Sequence, residues 1–257
     1  MGTHALYDRI GQGYTLTRQT DPSIAYAIRN ALGNAASVIN VGAGAGAYEP
    51  AGPHVVAVEP SWRMIRQRAS GTSPAVQASA EALPFRAGAF QAALAVLTLH
   101  HWSDWRAGLH EMKRVADRVV IFTFEPGDLA TFWLTEAYFP ELVELERGRC
   151  PSVADVAHEL GACRVETVPI PHDCVDGFLA ACWRRPEAYL DPGVRAGISG
   201  LACLDQDVVA RGVARLRSDL ESGAWERRFG HLRSLDALDA GYRLLIVREA
   251  VPSASVR

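Results

Sequence analysis

The segment VINVGAGAGAYE, residues 38–49, decides the fold of this chain. It joins a short apolar run to a loop in which glycines alternate with small residues, at Gly42, Gly44 and Gly46. Glycine lets the backbone turn sharply and lets a ligand approach it closely. A buried strand that runs directly into such a loop is typical of the ligand-binding edge of an open α/β sheet. The segment therefore predicts a ligand site at the end of the first strand.

Apolar runs rich in β-branched residues alternate with helix-like stretches along the rest of the chain. They predict seven buried strands, at residues 37–42, 54–60, 75–79, 90–99, 118–126, 163–171 and 241–250. Strands that alternate with helices imply right-handed crossovers between parallel neighbours. The predicted fold is α/β, a doubly wound, mostly parallel seven-stranded sheet with helical insertions.

Composition narrows the class of protein. The 257 residues are 49% hydrophobic and 21% charged, enough for one large core in a single domain spanning 1–257. A net charge of -3 with scattered arginines argues against nucleic acid as a partner. Because we find no leader sequence and no apolar run of roughly 18 residues, we expect a cytoplasmic protein without a membrane segment. The five cysteines form no C-x-x-C pair, which predicts free thiols.

The glycine loop alone leaves the cofactor open. Gly42, Gly44 and Ala47 also satisfy G-x-G-x-x-A, the fingerprint of nicotinamide and flavin binding, and a tight glycine turn with no cofactor is a further alternative. Glu59 ends the second strand, where a carboxylate accepts two hydrogen bonds from a ribose diol. That interaction serves either class of nucleotide cofactor.

Four segments, taken in order, separate these cofactors. They are VINVGAGAGAYE, AVEPSWRMI (57–65), ASAEALPF with AFQAALAVLTLHHW behind it (78–102), and EMKRV (111–115). The series resembles the class I S-adenosylmethionine-dependent methyltransferases, in particular the type 11 group. The resemblance covers residues 7–126 well and the remainder in outline.

The resemblance implies S-adenosyl-L-methionine as the cofactor and S-adenosyl-L-homocysteine as the product. It places the methionine part against Gly42, Gly44 and Gly46 and the ribose on Glu59. It also places the sulfonium above Leu97. In the same arrangement the adenine lies beside Pro60, Met64, Glu81 and Ala80, the last through its backbone N–H. Three positions depart from the family pattern, since Asn40, Ser79 and Gln91 stand where acidic residues are usual. Each departure removes a charge-assisted hydrogen bond, so we expect weaker cofactor binding unless other groups compensate.

The segment before the sheet resembles the family's lid helix, at about residues 5–33. Tyr7 and Tyr14 share one helix face, and Arg18 lies one turn beyond Tyr14. Such a lid closes over the cofactor, with Tyr14 beside it and Arg18 paired with its carboxylate. The alternative is an amphipathic helix that packs its tyrosines on the sheet.

Methyl transfer needs mainly an aligned nucleophile and the exclusion of water, and it needs a general base only when the nucleophile arrives protonated. His100 and His101, at the exit of the fourth strand, are the candidates for that base. Adjacent residues leaving a strand point to opposite sides, so we expect at most one to face the substrate. Capping of the strand is their alternative role. His172 and Asp173 open the second helical segment and either reach the substrate pocket or serve as loop caps, the role that we predict. No cluster has zinc-ligand spacing.

Two helical segments, at about 127–160 and 175–235, are predicted to cap the substrate. Their aromatic residues and one arginine either wall a pocket for a flat or apolar molecule or fill the helix core: Phe132, Trp133, Tyr138, Phe139, Phe178, Trp183, Arg184 and Tyr189.

The sequence thus predicts a methyltransferase of a small molecule in specialised metabolism, a monomer or homodimer that needs no metal. Three alternatives remain. One is the same fold using the cofactor for other chemistry, such as a cyclisation, which product analysis separates. Another is a nicotinamide oxidoreductase, which would bind NAD(P)H. The last is a binding protein that holds the cofactor without turnover.

Overall fold

The computed structural model describes residues 18–248, and its elements follow from their capping and strand-forming sequences. The helices are α1 (Pro22–Leu32), α2 (Trp62–Ile65), α3 (Trp105–Val115), α4 (Trp133–Ala137), α5 (Glu141–Arg149), α6 (Val153–Leu160), α7 (Pro192–Gly197), α8 (Ser199–Cys203), α9 (Gln206–Glu221) and α10 (Ala224–Phe229). The strands are β1 (Ser37–Val41), β2 (His54–Val58), β3 (Ala75–Val76), β4 (Ala92–Val96), β5 (Arg118–Phe124), β6 (Cys163–Thr167), β7 (Ile170–Pro171), β8 (Ala237–Leu238) and β9 (Tyr242–Arg248). Short 3₁₀ helices cover Leu99–His101, Asp128–Ala130, Pro186–Leu190 and Gly230–Ser234.

Within the described range, seven strands form one sheet in the order β3-β2-β1-β4-β5-β9-β6. The first five run parallel, and β9 pairs antiparallel with both β5 and β6. The predicted seven-stranded, mostly parallel α/β sheet is therefore confirmed. β7 and β8 form a separate two-stranded sheet.

Several strand boundaries differ from the prediction. The fourth strand ends at Val96 instead of residue 99, because Leu97 has a φ of 48° and leaves the extended conformation. The third strand covers only 75–76, and the run 163–171 divides into β6 and β7. Apolar residues continue past the end of β4, while strand pairing does not.

Helix α1 begins later than the predicted lid helix. The side chain of Asp21 accepts hydrogen bonds from the backbone N–H groups of Ser23 and Ile24, and Pro22 occupies the first turn. These signals start the helix at Pro22, and residues 18–21 before it are not helical. The predicted residues Tyr7 and Tyr14 lie outside the described part of the chain.

Two layers of apolar side chains cover the faces of the sheet. Successive residues of β1 point to opposite faces, so Val38 packs with Ile24 and Ile28 of α1, while Ile39 packs with Leu109 and other residues of α3. Both faces of the central strands are buried, which explains why these strands appear in the sequence as continuous apolar runs.

The two helical insertions share a core of aromatic side chains. The Trp133 ring makes edge-on contacts with Tyr138, Tyr189 and Trp225, at centroid separations of 6.0, 5.7 and 5.4 Å. Its indole N–H donates to the Trp183 carbonyl at 2.9 Å. Of the two roles that the sequence left open, most of these aromatics therefore take the second and form the core that holds the insertions together.

Two sequence-based expectations concern the chain as a whole. All five cysteines lie within the described range and are free thiols, as predicted. Between residues 18 and 248, no helix has the length and apolar character required to cross a membrane.

We predict that Trp133→Ala lowers the free energy of unfolding by about 3–5 kcal/mol, because it leaves a cavity inside the aromatic core. Urea denaturation measures this change. Trp62→Ala is the matched control, since the Trp62 side chain is 58% exposed, and it should stay within about 0.5 kcal/mol of the parent. Equal losses for the two variants would contradict the assignment of Trp133 to the core.

Candidate functional site

The candidate site lies where the order of the strands reverses. β1 is flanked by β2 on one side and β4 on the other, so the loops that follow β1 and β4 leave the sheet at neighbouring positions. In open α/β sheets, ligands bind in the crevice at such a switch point. The glycine loop and residues 97–101 meet at this edge.

Gly42 is the position at which the two loops meet. Its φ is 71°, and a Cβ atom placed on it would collide with the side chain of Thr98. The N–H groups of Gly42 and Ala43 donate to the Val58 carbonyl at 2.8 and 3.0 Å. Only glycine combines this φ with this close approach, so the loop lies flat across the ends of β2 and β4.

Glu59 fastens the glycine loop to the end of β2. Its side chain is buried, yet both carboxylate oxygens are bonded: Oε2 accepts from the Gly44 N–H and Oε1 from the Ser61 N–H, each at 2.9 Å. Hydrogen bonds to an ionised carboxylate are stronger than neutral ones. The carboxylate is thus fixed in orientation where the sequence predicted a ribose contact.

A polar network behind the loop accounts for the departure from the family pattern at Asn40, and a separate hydrogen bond at the start of β4 engages Gln91. Asn40 is buried and donates to Glu49, and Glu49 forms a 2.6 Å ion pair with Arg68. An acid at position 40 would face the carboxylate of Glu49, so the amide avoids repulsion between like charges. Gln91 accepts from the Ala36 N–H at 2.6 Å and so ties β4 to the start of β1.

The switch point opens into a cavity of about 590 Å³, which we call the first cavity. This volume falls within the usual range of ligand pockets, about 300–1,000 Å³. The predicted residues that line it are Arg18, Gly42, Gly44, Gly46, Glu59, Pro60, Met64, Ala80, Glu81, Leu97 and His101. The structure brings these residues together, and their individual roles toward a cofactor stay predictions. Sequence reasoning missed Tyr48, Ser61, Thr98 and Trp102, which also line the cavity.

A smaller second cavity, of about 40 Å³, adjoins the first and shares Arg18, Leu97 and His101 with it. Its volume corresponds to a few water molecules. The walls are mostly apolar and come from β5, β9 and both insertions: Phe124, Leu142, Phe178, Leu179, Ile198 and Tyr242. Of the aromatics predicted to surround a substrate, Phe178 is the one that lines this cavity.

The two histidines lie side by side, contrary to the expectation that they face opposite ways. Their ring centroids are 3.8 Å apart, and both rings border the second cavity. The prediction was wrong because β4 has already ended at Val96, and a 3₁₀ turn over Leu99–His101 brings both side chains to one side.

Both imidazoles are neutral near pH 7. Burial, reinforced by the positive charges of Arg149 and Arg18, lowers the pKa of His101 to about 3. Burial, then the neighbouring His101 and the same two arginines, lowers the pKa of His100 well below its usual value. The Nδ1 atom of His100 is buried and has no hydrogen-bond partner among the described residues. The pair is suited to hydrogen bonding with a neutral group and resists taking up a proton.

Arg18 is held by a partner that sequence spacing did not reveal. Its Nε and Nη2 atoms donate to the carboxylate of Asp176 at 2.7 and 3.2 Å. The same carboxylate accepts from the hydroxyl of Tyr48 at 2.9 Å. The predicted pairing of Arg18 with a cofactor carboxylate stays a prediction, and this arrangement fixes where the guanidinium lies.

The remaining candidate residues lie away from both cavities. The Nδ1 atom of His172 lies 3.1 Å from the Asp236 carbonyl, and its backbone N–H donates to the same carbonyl at 2.9 Å, next to the β7–β8 pair. Asp173 is exposed beside it. Across residues 18–248, no group of three or more His, Cys, Asp or Glu residues is arranged to hold a metal ion.

Comparisons with known proteins point to one family. A family model described as a methyltransferase domain matches residues 39–122. A solved structure from Anabaena variabilis, described as a methyltransferase from an antibiotic biosynthesis pathway, is 33% identical to this chain, with a TM-score of 0.83. The match covers 90% of this chain and 98% of the Anabaena protein. No curated protein sequence matches the chain significantly.

More distant structures share the fold. An S-adenosylmethionine-dependent methyltransferase from Thermotoga maritima is 14% identical with a TM-score of 0.54, and the match covers 95% of each chain. The (4+2) cyclase SpnF is also 14% identical, with a TM-score of 0.53 and 98% of each chain covered. At this level of identity the likeness concerns the fold alone.

We predict that Glu59→Ala weakens binding of S-adenosylhomocysteine at least tenfold, about 1.4 kcal/mol, because it removes a carboxylate already oriented toward the first cavity. Isothermal titration calorimetry measures the dissociation constant. Glu144→Ala removes a glutamate that is 78% exposed and serves as the control. An unchanged constant for Glu59→Ala would exclude a ribose contact.

The histidine pair predicts a pH dependence of stability. In the unfolded chain a histidine takes up a proton near pH 6.5, whereas in the folded protein both imidazoles stay neutral to much lower pH. Stability is therefore complete above pH 6.5 and is lost as the pH falls toward 3, by up to about 1.4 kcal/mol per pH unit for each histidine.

We expect His101→Asn to flatten this dependence between pH 6.5 and 4.5, as measured by urea denaturation at each pH. His54→Asn, at an exposed histidine, should keep the parent slope. The same slope in the parent and in His101→Asn would show that the ring of His101 takes up its proton as readily in the folded protein as in the unfolded chain.

Proposed function

Because the chain belongs to the S-adenosylmethionine-dependent methyltransferases, we propose that it transfers a methyl group to a small, largely apolar molecule. The observation that carries this proposal is the shared wall of the two cavities. Leu97 and His101 border both the cavity beside the glycine loop and the apolar cavity under the insertions. A cofactor in the first and an acceptor in the second would meet at this wall.

The residues around the first cavity fit the cofactor. Its volume suits a nucleoside with an amino-acid tail, and Glu59 presents an oriented carboxylate to a ribose diol. Gly44 has a φ of 53°, which disfavours a side chain, and its N–H is bonded to Glu59 at the cavity. When bound, the cofactor supplies an electrophilic methyl group on a sulfonium.

Leu97 supports the alignment of donor and acceptor. Its φ of 48° lies in the left-handed region, which is costly for a side chain with a Cβ, and its N–H donates to the Phe122 carbonyl at 2.8 Å. The residue is held at the wall by this hydrogen bond in spite of the strain. We infer that it separates the cavities and sets the distance over which the methyl group moves.

The second cavity excludes water from the acceptor. Phe124, Phe178 and Tyr242 surround it, and burial raises the pKa of Tyr242, so the phenol stays protonated. The cavity has to widen when a substrate enters. The histidines contribute hydrogen bonding to a neutral acceptor, and their lowered pKa values make them weak bases. We therefore assign positioning to this pair ahead of general-base catalysis.

The biological setting and organisation are proposed in the same way. The Anabaena protein, 33% identical, is described as part of an antibiotic pathway, which supports a role in specialised metabolism for this chain. We propose one methyltransferase domain in which the insertions at 127–160 and 175–235 cap the substrate. Their shared aromatic core supports this organisation.

Calorimetric titration with S-adenosylmethionine, S-adenosylhomocysteine and NADH tests the cofactor assignment. Binding of the two sulfur nucleotides without NADH is the expected result. Incubation with methyl-labelled S-adenosylmethionine and a panel of small aromatic and apolar molecules then tests methylation. Transfer of label supports the proposal, whereas a changed but unlabelled product would indicate a reaction such as cyclisation.

Filling the second cavity should separate cofactor binding from turnover. We predict that Leu179→Trp leaves the dissociation constant of S-adenosylhomocysteine within twofold of the parent and lowers methyl transfer at least a hundredfold. Leu190→Trp is the matched control, since Leu190 is a partly buried leucine of the same insertion that lies outside both cavities. Full turnover by Leu179→Trp would show that the acceptor does not use the second cavity.

A further inference from the structure

Asp176 is a fully buried acid at the start of the second insertion, with a side-chain exposure of 0%. Its Oδ1 atom accepts from Nε of Arg18 at 2.7 Å, from the Gln19 N–H at 3.2 Å and from the Gly177 N–H at 2.7 Å. Its Oδ2 atom accepts from Nη2 of Arg18 at 3.2 Å and from the Tyr48 hydroxyl at 2.9 Å. Five donors from three separate parts of the chain therefore converge on one carboxylate.

The partners of Asp176 lie at the two cavities. Arg18 lines both cavities and Tyr48 lines the first. Tyr48 has a φ of 63°, which is uncommon for a residue with a side chain and needs support from its surroundings. Burial and the charge of Asp176 raise the pKa of Tyr48, so its hydroxyl stays protonated and donates to Asp176.

A second contact holds the segment 175–177, which contains Asp176. The side chain of Asp21, which caps α1, also accepts from the Val175 N–H at 3.2 Å. Phe178 and Leu179, two and three residues beyond Asp176, form part of the wall of the second cavity. The segment 175–177 is thus bonded to residues at the first cavity, and the chain that follows it forms part of the wall of the second cavity.

We propose that Asp176 is a positioning residue for methyl transfer: it holds Arg18 and Tyr48 at the first cavity and fastens them to the wall of the second. The proposal rests on the placement of the cofactor in the first cavity. Replacing the carboxylate by an amide sets an N–H₂ group against a donor and removes the counter-charge of Arg18. Arg18 then loses the orientation that the carboxylate imposes.

Titration with S-adenosylhomocysteine and with adenosine, which lacks the amino-acid part, tests this role. Because Arg18 lies at the end of the first cavity that meets the second, its effect should fall on the amino-acid part. We expect Asp176→Asn to weaken binding of S-adenosylhomocysteine about tenfold and binding of adenosine less than twofold. Asp173→Asn makes the same change three residues earlier, at an exposed position, and should leave both constants unchanged.

A double-variant comparison separates positioning from a general structural role. Arg18→Met should weaken binding of S-adenosylhomocysteine about tenfold in the parent and less than twofold in Asp176→Asn, because the two residues act together. The proposal is overturned if the losses of the two single variants multiply in the double variant, or if Asp176→Asn weakens adenosine binding as much as S-adenosylhomocysteine binding. It is also overturned if Asp176→Asn binds S-adenosylhomocysteine as tightly as the parent or more tightly. Tighter binding by Asp176→Asn would mean that Asp176 competes with the cofactor for Arg18.

Two further variants keep the test decisive. If Asp176→Asn does not fold, Tyr48→Phe provides the test, because it removes the hydroxyl that donates to Asp176 and accepts from the Asp21 N–H. It should weaken binding of S-adenosylhomocysteine about threefold without affecting adenosine, and an unchanged constant overturns the role. Glu59→Ala distinguishes the two levels of inference. If it leaves binding intact, the placement of the cofactor fails. If it weakens binding while Asp176→Asn does not, the positioning role alone fails.

Discussion

The contact between Gly42 and Thr98 is the constraint on which the site depends. A side chain at residue 42 would collide with Thr98, so the chain leaving β1 lies directly against the chain leaving β4. This approach brings the glycine loop within reach of Glu59 on one side and places Leu97, next to Thr98, beneath the loop on the other. The two cavities and the wall between them follow from this one steric condition.

The sequence predicted the glycine loop and the acid that line the first cavity, because both are built from local patterns. An apolar run followed by alternating glycines specifies a strand and a turn within twelve residues, and an acid at the end of the next strand is just as local. The seven strands were recognisable for the same reason. The ends of the strands were harder to predict. Leu97 ends β4 by adopting a positive φ, which a leucine in the sequence does not indicate.

What the sequence did not predict depends on contacts across long stretches of chain. Asp176 lies 158 residues from Arg18, and no spacing rule connects them. Aromatic residues in a helical segment fit a pocket wall or a core equally well, and only packing assigned Trp133 to the core. The orientation of His100 and His101 followed from a 3₁₀ turn of three residues, too short to carry a periodic signal.

The charges around the second cavity are arranged in closed pairs. Arg18 is neutralised by Asp176, and Arg149 forms a 2.5 Å pair with the buried Glu146. Burial lowers the pKa values of the two neighbouring imidazoles, and the charges of both arginines add to this effect, so the rings stay uncharged. The second cavity thus has local dipoles and paired charges, an environment that suits the neutral acceptor that we propose for it.

The position of β9 has a consequence for how the chain folds. β5 gains its outer neighbour only when β9 pairs with it, and the whole of both insertions separates these strands in sequence. Until then, the run VVIFTF in β5 presents an unpaired apolar edge, the kind of surface through which chains associate during synthesis. Because both insertions must be made and folded before β9 can cover this edge, damage to their aromatic core would expose β5 for longer and reduce the yield of folded protein.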